Sequence, residues 1–504
     1  MKLDVSYWLA LSILVLGVSC GSRSNSGSTS TNGPPRLLVI SSLIGYVEPC
    51  GCTIDLHLGG LARLAHLIEE ERKRGPTAVV LVGPYLFEKR VKEHRIPQEK
   101  AKAKLLAEAF ESLGVDAVVN TQNEVLFGQT FFDNLVLAKR ADPTVNIPGG
   151  RPHIVDIGGF KIGLIGLIED GTIAPNGASL DPQTPLRAGV EQLKKSGVDV
   201  VIALAARPRA DVRRLASAVN GVDAWFLSHH AKEEKNTQPI KGGYLIEGGD
   251  RGRNIARLVF QNSTLKMPWT DPQSDLNRKR DLLEGQIRMN QFTLMQTGEP
   301  SIRTRIKSQK DMLAKLKLEK PTGRHIDYTL MPVQKNTPRL PKIARWVDAY
   351  KASLKKLNLA SAGHIKSVSD GQSKYAGIAE CEDCHPEAVE FWQKTKHAKA
   401  WGTLVTADKT FDAECVSCHV TGWQEPGGSI LGQTKNLESV QCEVCHGPGQ
   451  IHAESGGDPA EIKLTVPKAL CETCHNHHHS PKFNFERYIT RITGPGHELG
   501  KTKP

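Results

Sequence analysis

Cys381-Glu382-Asp383-Cys384-His385, Cys415-Val416-Ser417-Cys418-His419, Cys442-Glu443-Val444-Cys445-His446 and Cys471-Glu472-Thr473-Cys474-His475 spell one pattern four times. Two cysteines stand two residues apart, and a histidine follows the second directly. C-x-x-C-H is the attachment pattern of c-type haem. Two thiols add across the two vinyl groups of one macrocycle, and two intervening residues let both sulfurs reach the same edge. The adjacent histidine then lies beneath the iron and supplies its proximal nitrogen. All eight cysteines are therefore expected to carry cofactor, and His385, His419, His446 and His475 to ligate metal. Paired cysteines also hold zinc, and in an oxidising compartment they form disulfides. Neither alternative explains a histidine behind every pair. The expectation is four covalently bound c-type haems. Of 11 cysteines, the pattern leaves Cys20, Cys50 and Cys52.

A six-coordinate iron needs a second ligand. Candidate histidines follow in Lys396-His397-Ala398-Lys399-Ala400, in Gly447-Pro448-Gly449-Gln450-Ile451-His452, in His477-His478-His479 and at His497, with His364 a weaker choice. Taken with the four C-x-x-C-H segments, Trp392, Thr395 and Gly422, the Lys396–Ala400 and Gly447–His452 strings make the segment resemble the tetrahaem cytochrome c-554 family over about residues 375–480. The resemblance implies mainly bis-histidine haems, with His397 and His452 as distal ligands and one iron able to stay five-coordinate. It does not say which haem each distal histidine serves. His479 is expected as a third distal ligand, with His497 next. The run of three histidines also suits a solvated or opportunistic metal site. Phe391, Trp392, Trp401 and Trp423 are expected to wall the haems, because haem is the core of so short a domain.

Upstream, residues 36–262 read as an α/β domain. Apolar runs at Leu37–Ser41, Ala78–Val82, Val198–Ala205 and Ala224–Leu227 alternate with helical spacings such as Leu61, Leu64, Ala65, Ile68. Gly158-Gly159 reads as a hairpin turn. Tyr244–Glu247 and Ile255–Phe260 read as a second hairpin-like pair. Residues 263–375 read as a helical hairpin, one more helix over Leu340–Leu357 and a polar linker, and 376–504 as the multihaem domain. The fold expected is an α/β metallophosphatase-like sandwich, then a helical hairpin, then a mostly α and irregular cytochrome domain.

The first part of that expectation rests on Gly45-Tyr46-Val47-Glu48-Pro49-Cys50-Gly51-Cys52 and Gly59-Gly60-Leu61-Ala62-Arg63. These resemble the 5'-nucleotidase-type calcineurin-like metallophosphatases, which hold two metals at strand ends. Ligand positions carried over fall on Ser42, Ile44, Pro84 and Phe87 (after Gly83) and Asn123, none of the expected kind. His229 alone fits. Asp55-Leu56-His57 spells a metal motif but lies past the turn. One histidine does not hold a binuclear centre, so the domain is expected to be non-catalytic. Cys50 and Cys52 are adjacent enough to strain a mutual disulfide, and a structural role is the modest reading.

The chain begins as an exported one. Lys2 precedes an apolar run, Tyr7–Val18, too short to span a bilayer and read as residues 1–20 of a signal peptide. Gly17-Val18-Ser19-Cys20 resembles a bacterial lipoprotein signal, with Cys20 as the lipidated residue. Leu16 lies one place further from the cysteine than that pattern has it. Residues 21–35 compose a flexible tether. The expected location is periplasmic or at the cell surface, anchored to membrane by lipid. The net charge of +11 is spread without long runs of one sign, which argues against nucleic acid and suits steering of redox partner proteins. Electron transfer is the function expected. Two alternatives stand: a haem enzyme acting on a small nitrogen or sulfur species at an open iron, and a metal-dependent phosphoesterase with a haem appendage.

Overall fold

The computed structural model describes residues 32–50, 58–139, 146–147, 152–168, 181–228, 232–265, 267–318, 321–476, 479–480 and 482–497. The expectations for Cys20, the signal segment, Cys52, Asp55-Leu56-His57, His229, His477 and His478 lie outside the described residues.

In chain order the first half carries β1 (Arg36–Ser41), β2 (Pro49–Cys50), β3 (Leu58–Gly59), α1 (Leu61–Arg72), β4 (Thr77–Val82), α2 (Ile96–Ser112), β5 (Ala117–Val119), α3 (Gln129–Asp133), α4 (Val136–Lys139), β6 (Asn146–Ile147), β7 (His153–Ile157), β8 (Phe160–Ile168), α5 (Gln183–Lys195), β9 (Val200–Ala206), α6 (Arg209–Ala218), β10 (Ala224–Leu227), β11 (Gln238–Ile240), β12 (Gly243–Glu247) and β13 (Asn254–Gln261). Then come α7 (Pro272–Thr297), α8 (Pro300–Lys315), β14 (His325–Pro332) and α9 (Pro341–Ala360). β1 and β4 are apolar on both faces because both faces are covered. Along β1, Leu37 and Val39 point between the sheets while Leu38 and Ile40 point to the helices.

One sheet has the order β14-β13-β1-β4-β5, and the other β11-β12-β10-β9-β8-β6 with β7 on β8. Leu37, Val39 and Val80 of the first meet Ile162, Leu164, Ile202 and Phe226 of the second in a shared core. α1, α2 and α9 cover the outer face of the first sheet. α5 and α6 cover the second. The result is a helix–sheet–sheet–helix sandwich with mixed sheets. The Gly158-Gly159 turn joins β7 to β8 as an antiparallel hairpin.

Two readings differ from the structure. Tyr244–Glu247 and Ile255–Phe260 do not pair. β12 runs parallel to β10 in one sheet, and β13 runs antiparallel to β1 in the other. Positive φ at Gly249, Arg251 and Gly252 (73°, 54° and 62°) turns the chain from one layer to the next. Two apolar strands near in sequence look like a hairpin whether or not they share a sheet.

The segment 263–375 is also more than hairpin and linker. β14 pairs with the whole of β13, and α9 packs on α1 and α2. α7 and α8 are thus an excursion between two neighbouring strands. The Asp271 carboxylate caps α7 by accepting from Ser274 N at 2.9 Å, and Gly298 ends it in a left-handed conformation. Ile287, Ile302 and Ile306 hold the excursion together. β14 hides in the sequence because His325, Asp327 and Thr329 alternate with its apolar residues, as an edge strand allows.

From residue 378 the chain forms only short helices: α10 (Ile378–Glu382), α11 (Pro386–Lys394), α12 (Ala400–Thr406), α13 (Ala413–Val416), α14 (Cys442–His446), α15 (Gln450–Glu454), α16 (Lys468–Glu472) and α17 (Phe485–Ile489). Their own apolar cluster is small: Leu404, Val416, Val420 and Leu431. No helix among the described residues is long and apolar enough to cross a membrane.

Packing of α9 gives a test. Ile343 is 0% exposed against sheet and helices. Ile343→Ala in the full chain is expected to cost about 2–5 kcal/mol, read as an earlier loss of protease resistance in urea. A mere linker would show no change.

Candidate cofactor site and its docking surface

Each C-x-x-C-H segment occupies about one helical turn. His385 N donates to Cys381 O at 2.9 Å, and His475 N to Cys471 O at 2.8 Å. That turn places thiols three residues apart on one face and the histidine just above them. The thiols also meet between segments. Cys381 and Cys442 lie near enough to shift each other's pKa, as do Cys418 and Cys474. Cys445 feels Cys471 electrostatically. The first segment therefore adjoins the third, the third the fourth, and the fourth the second. Among the described residues no three or more His, Cys, Asp or Glu converge as a metal cluster, so these cysteines do not gather in the fours that zinc needs.

The histidines pair across the module. The His385 and His452 rings lie 6.4 Å apart at 9°. His397 and His475 lie 6.1 Å apart at 41°, and His446 and His497 5.9 Å apart at 46°. Two metal–nitrogen bonds of about 2 Å each, plus the two ring half-widths, need roughly this separation. Each pair joins one segment histidine to one distant histidine. Nδ1 of His419, His446 and His452 faces the carbonyls of Ala400 (2.7 Å), Lys463 (2.7 Å) and Asp458 (2.8 Å). A proton held on Nδ1 leaves Nε2 with the free lone pair that a metal takes. Burial, then neighbouring His475, pushes the His397 imidazole down and keeps it neutral. This donor set fits c-type haem.

His497, ranked after His479 as a third distal candidate, is the histidine whose ring stands opposite His446. His479 is instead within electrostatic reach of Arg251, Glu414, Glu88 and Arg95. Among the described residues no second imidazole ring lies against His419. Trp392 is tied to the module by donating Nε1 to Val440 O at 2.8 Å, and Trp401 and Trp423 pack on the Leu404–Val416 cluster.

The second segment is gripped by the α/β domain. Glu414, one residue before Cys415, accepts from Arg95 (2.6 Å) and Lys102 (2.8 Å), and Lys102 also reaches Glu99 at 3.0 Å. Gln98 donates to Asp412 Oδ1 at 2.7 Å and accepts from Ala413 N at 3.0 Å and Asn358 at 2.7 Å. Asn358 also donates to Phe411 O at 2.8 Å. Lys409 and Lys351 both reach Glu48 at 3.1 Å. The His94 ring meets Trp423 edge-on at 5.3 Å. Burial alone raises the Glu414 carboxyl, but Lys102 and then Arg95 overcome it and hold the group at about 2. Sequence reasoning missed this surface. Its signal was present: Gln98 and Lys102 continue the Leu105–Ala109 face of α2, so polar residues stand where that helix is buried.

At the strand ends of the sandwich, the positions where metal ligands were sought are tied to backbone. Ser42 Oγ donates to Ser228 O (2.6 Å), Ser228 Oγ to Gly83 O (2.8 Å) and Asn123 Nδ2 to Phe87 O (3.1 Å). The Glu124 carboxylate is fully buried and accepts from the amides of Tyr85 (2.8 Å) and Thr121 (2.6 Å). Burial raises its pKa while these bonds oppose the rise.

Comparison with known proteins adds two findings. Residues 380–447 match the family model described as cytochrome c554 and c-prime. The cytochrome c-554 of Nitrosomonas europaea is 33% identical over 120 aligned positions, covering 19% of this chain and 51% of that one. The chain thus spans about half the length of this curated relative. Solved structures similar to the chain include sulfate thiohydrolase SoxB of Thermus thermophilus (13% identity, TM-score 0.44, 85% of this chain and 74% of that one). A 5'-nucleotidase precursor, also of Thermus thermophilus, follows (13%, 0.43, 83% and 73%). So does the calcineurin-like phosphoesterase YfkN of Bacillus subtilis (16%, 0.39, 65% and 98%).

Glu414 sets a pH-dependent prediction. Its folded pKa lies below the unfolded value of about 4.3, so its stabilisation is full above that value. It is lost as pH falls from there toward about 2. The hydrogen-exchange protection factors of α2 and residues 411–416 are expected to fall across that window. Glu414→Ala should produce the same exposure at pH 7, at a cost of about 1.5–3 kcal/mol, since Arg95 and Lys102 keep Glu99 as a partner.

Proposed function

We propose that this chain, whose C-terminal module is similar to cytochrome c-554, is an exported electron carrier with four covalently bound c-type haems. Cys381 and Cys384, Cys415 and Cys418, Cys442 and Cys445, and Cys471 and Cys474 would attach them. His385, His419, His446 and His475 would be the proximal ligands. The observation that carries the reading is the set of imidazole pairs at 5.9–6.4 Å, each uniting a segment histidine with His452, His397 or His497. Bound haem supplies an iron that takes up and gives back one electron. The chain's own residues orient the imidazoles, exclude water and order the attachment points first–third–fourth–second.

The α/β domain acts as a non-catalytic carrier that grips the second segment. Export fits the reading, with Cys20 as a lipid anchor and redox proteins as partners. A second reading has one observation in its favour. No described imidazole lies against His419, and an open iron there suits a small nitrogen or sulfur species.

Haem content and spin state test both. Pyridine haemochrome analysis should give four haems per chain, and electron spin resonance three low-spin irons and one high-spin. His397→Ala should convert one low-spin signal to high-spin and leave the other two. Fewer than four haems contradicts the tetrahaem reading. Four low-spin irons contradict the open-iron reading.

A further inference from the structure

The two ends of this attachment order differ in accessibility. The second segment is the more enclosed: Asp412, Ala413, Val416, Val420 and Thr421 are buried (0–6% exposed), Cys415 and Cys418 are half-buried, and Arg95, Gln98 and Lys102 of the α/β domain bind the residues leading into it. The first segment is open. Residues 382–387 are all exposed, and Cys384 is the exposed member among the eight attachment cysteines.

The open end also carries its own charge. Glu380, Glu382, Asp383, Glu387 and Glu390 fall between Tyr375 and Gln393, a stretch without Lys or Arg, in a chain of net charge +11. Glu390 pairs with Lys394 at 2.6 Å. Among the described residues the other four form no ion pair. Free carboxylates around an exposed redox edge attract a cationic partner over distance and orient it.

We propose that the acidic rim of the first segment, Glu380, Glu382, Asp383 and Glu387, is the electron port of this protein and docks a carrier protein with a basic face. The inference rests on the tetrahaem reading. One electron passes from a ferrous haem of this chain to the ferric iron of the docked partner, and no bond forms or breaks. The opposite end of the order lies against α2, where the domain that grips it leaves less room for a macromolecule.

The test uses the full-length, haem-loaded protein and a basic monohaem cytochrome c as probe, compared at equal haem content. With both proteins oxidised, calorimetry at low ionic strength reads docking without electron flow. The variant E380Q/E382Q/D383N/E387Q is expected to bind about tenfold more weakly or worse, with a flatter salt dependence. Reduction of the probe by the pre-reduced variant should slow by about the same factor. Reduction of anionic ferricyanide should not slow. Single Glu387→Lys should weaken docking in the same direction. Equal binding and equal salt dependence in wild type and variants would overturn the port. A haem count below four would instead overturn the tetrahaem reading, and the binding comparison would still report on the acidic rim.

Discussion

Lys102 Nζ lies 3.0 Å from Glu99 and 2.8 Å from Glu414, and its side chain is only 3% exposed. An ammonium taken this far from water costs several kcal/mol unless paired. Burial lowers its pKa, but Glu414 and Glu99 more than reverse the shift and keep it charged. The pairing is geometrically demanding, because the two carboxylates come from opposite halves of the chain. α2 is fixed by sheet packing through Ala103, Leu106 and Phe110. Glu414 is therefore fixed relative to the first sheet, and Cys415 follows it directly. From there the second segment neighbours the fourth, the fourth the third, and the third the first.

That dependence explains why so thin a module is ordered. Its apolar cluster is small, and its helices are one or two turns long, below what stands alone in water. Rigidity comes from the sandwich on one side and from histidines anchored by backbone carbonyls on the other. The same reasoning gives the α/β domain a physical role, that of placing the second segment. Its strand ends close through Ser42, Ser228 and Glu124 onto backbone groups. Its α2 and α9, through Gln98, Lys102 and Asn358, hold the cytochrome-like part.

Much of this was legible in the residues. The four C-x-x-C-H segments stand out because the covalent chemistry they suit fixes residue type and spacing together. β1, β4, β9 and β10 were legible because strands covered on both faces must be continuously apolar. β14 was not, since an edge strand tolerates His325, Asp327 and Thr329. The false hairpin of β12 and β13 shows that apolar runs report burial and not partners. That the His497 ring lies opposite His446 is a tertiary fact: it depends on where the chain returns, and spacing along it does not say.

The most direct measurement is an experimental structure of the haem-loaded protein with iron positions located by anomalous scattering. The account requires the irons to follow the order first, third, fourth, second, with the second nearest α2 and with His452, His397 and His497 as distal ligands of the first, fourth and third. A structure with the first segment's iron against α2, or with those three histidines unligated, would contradict it.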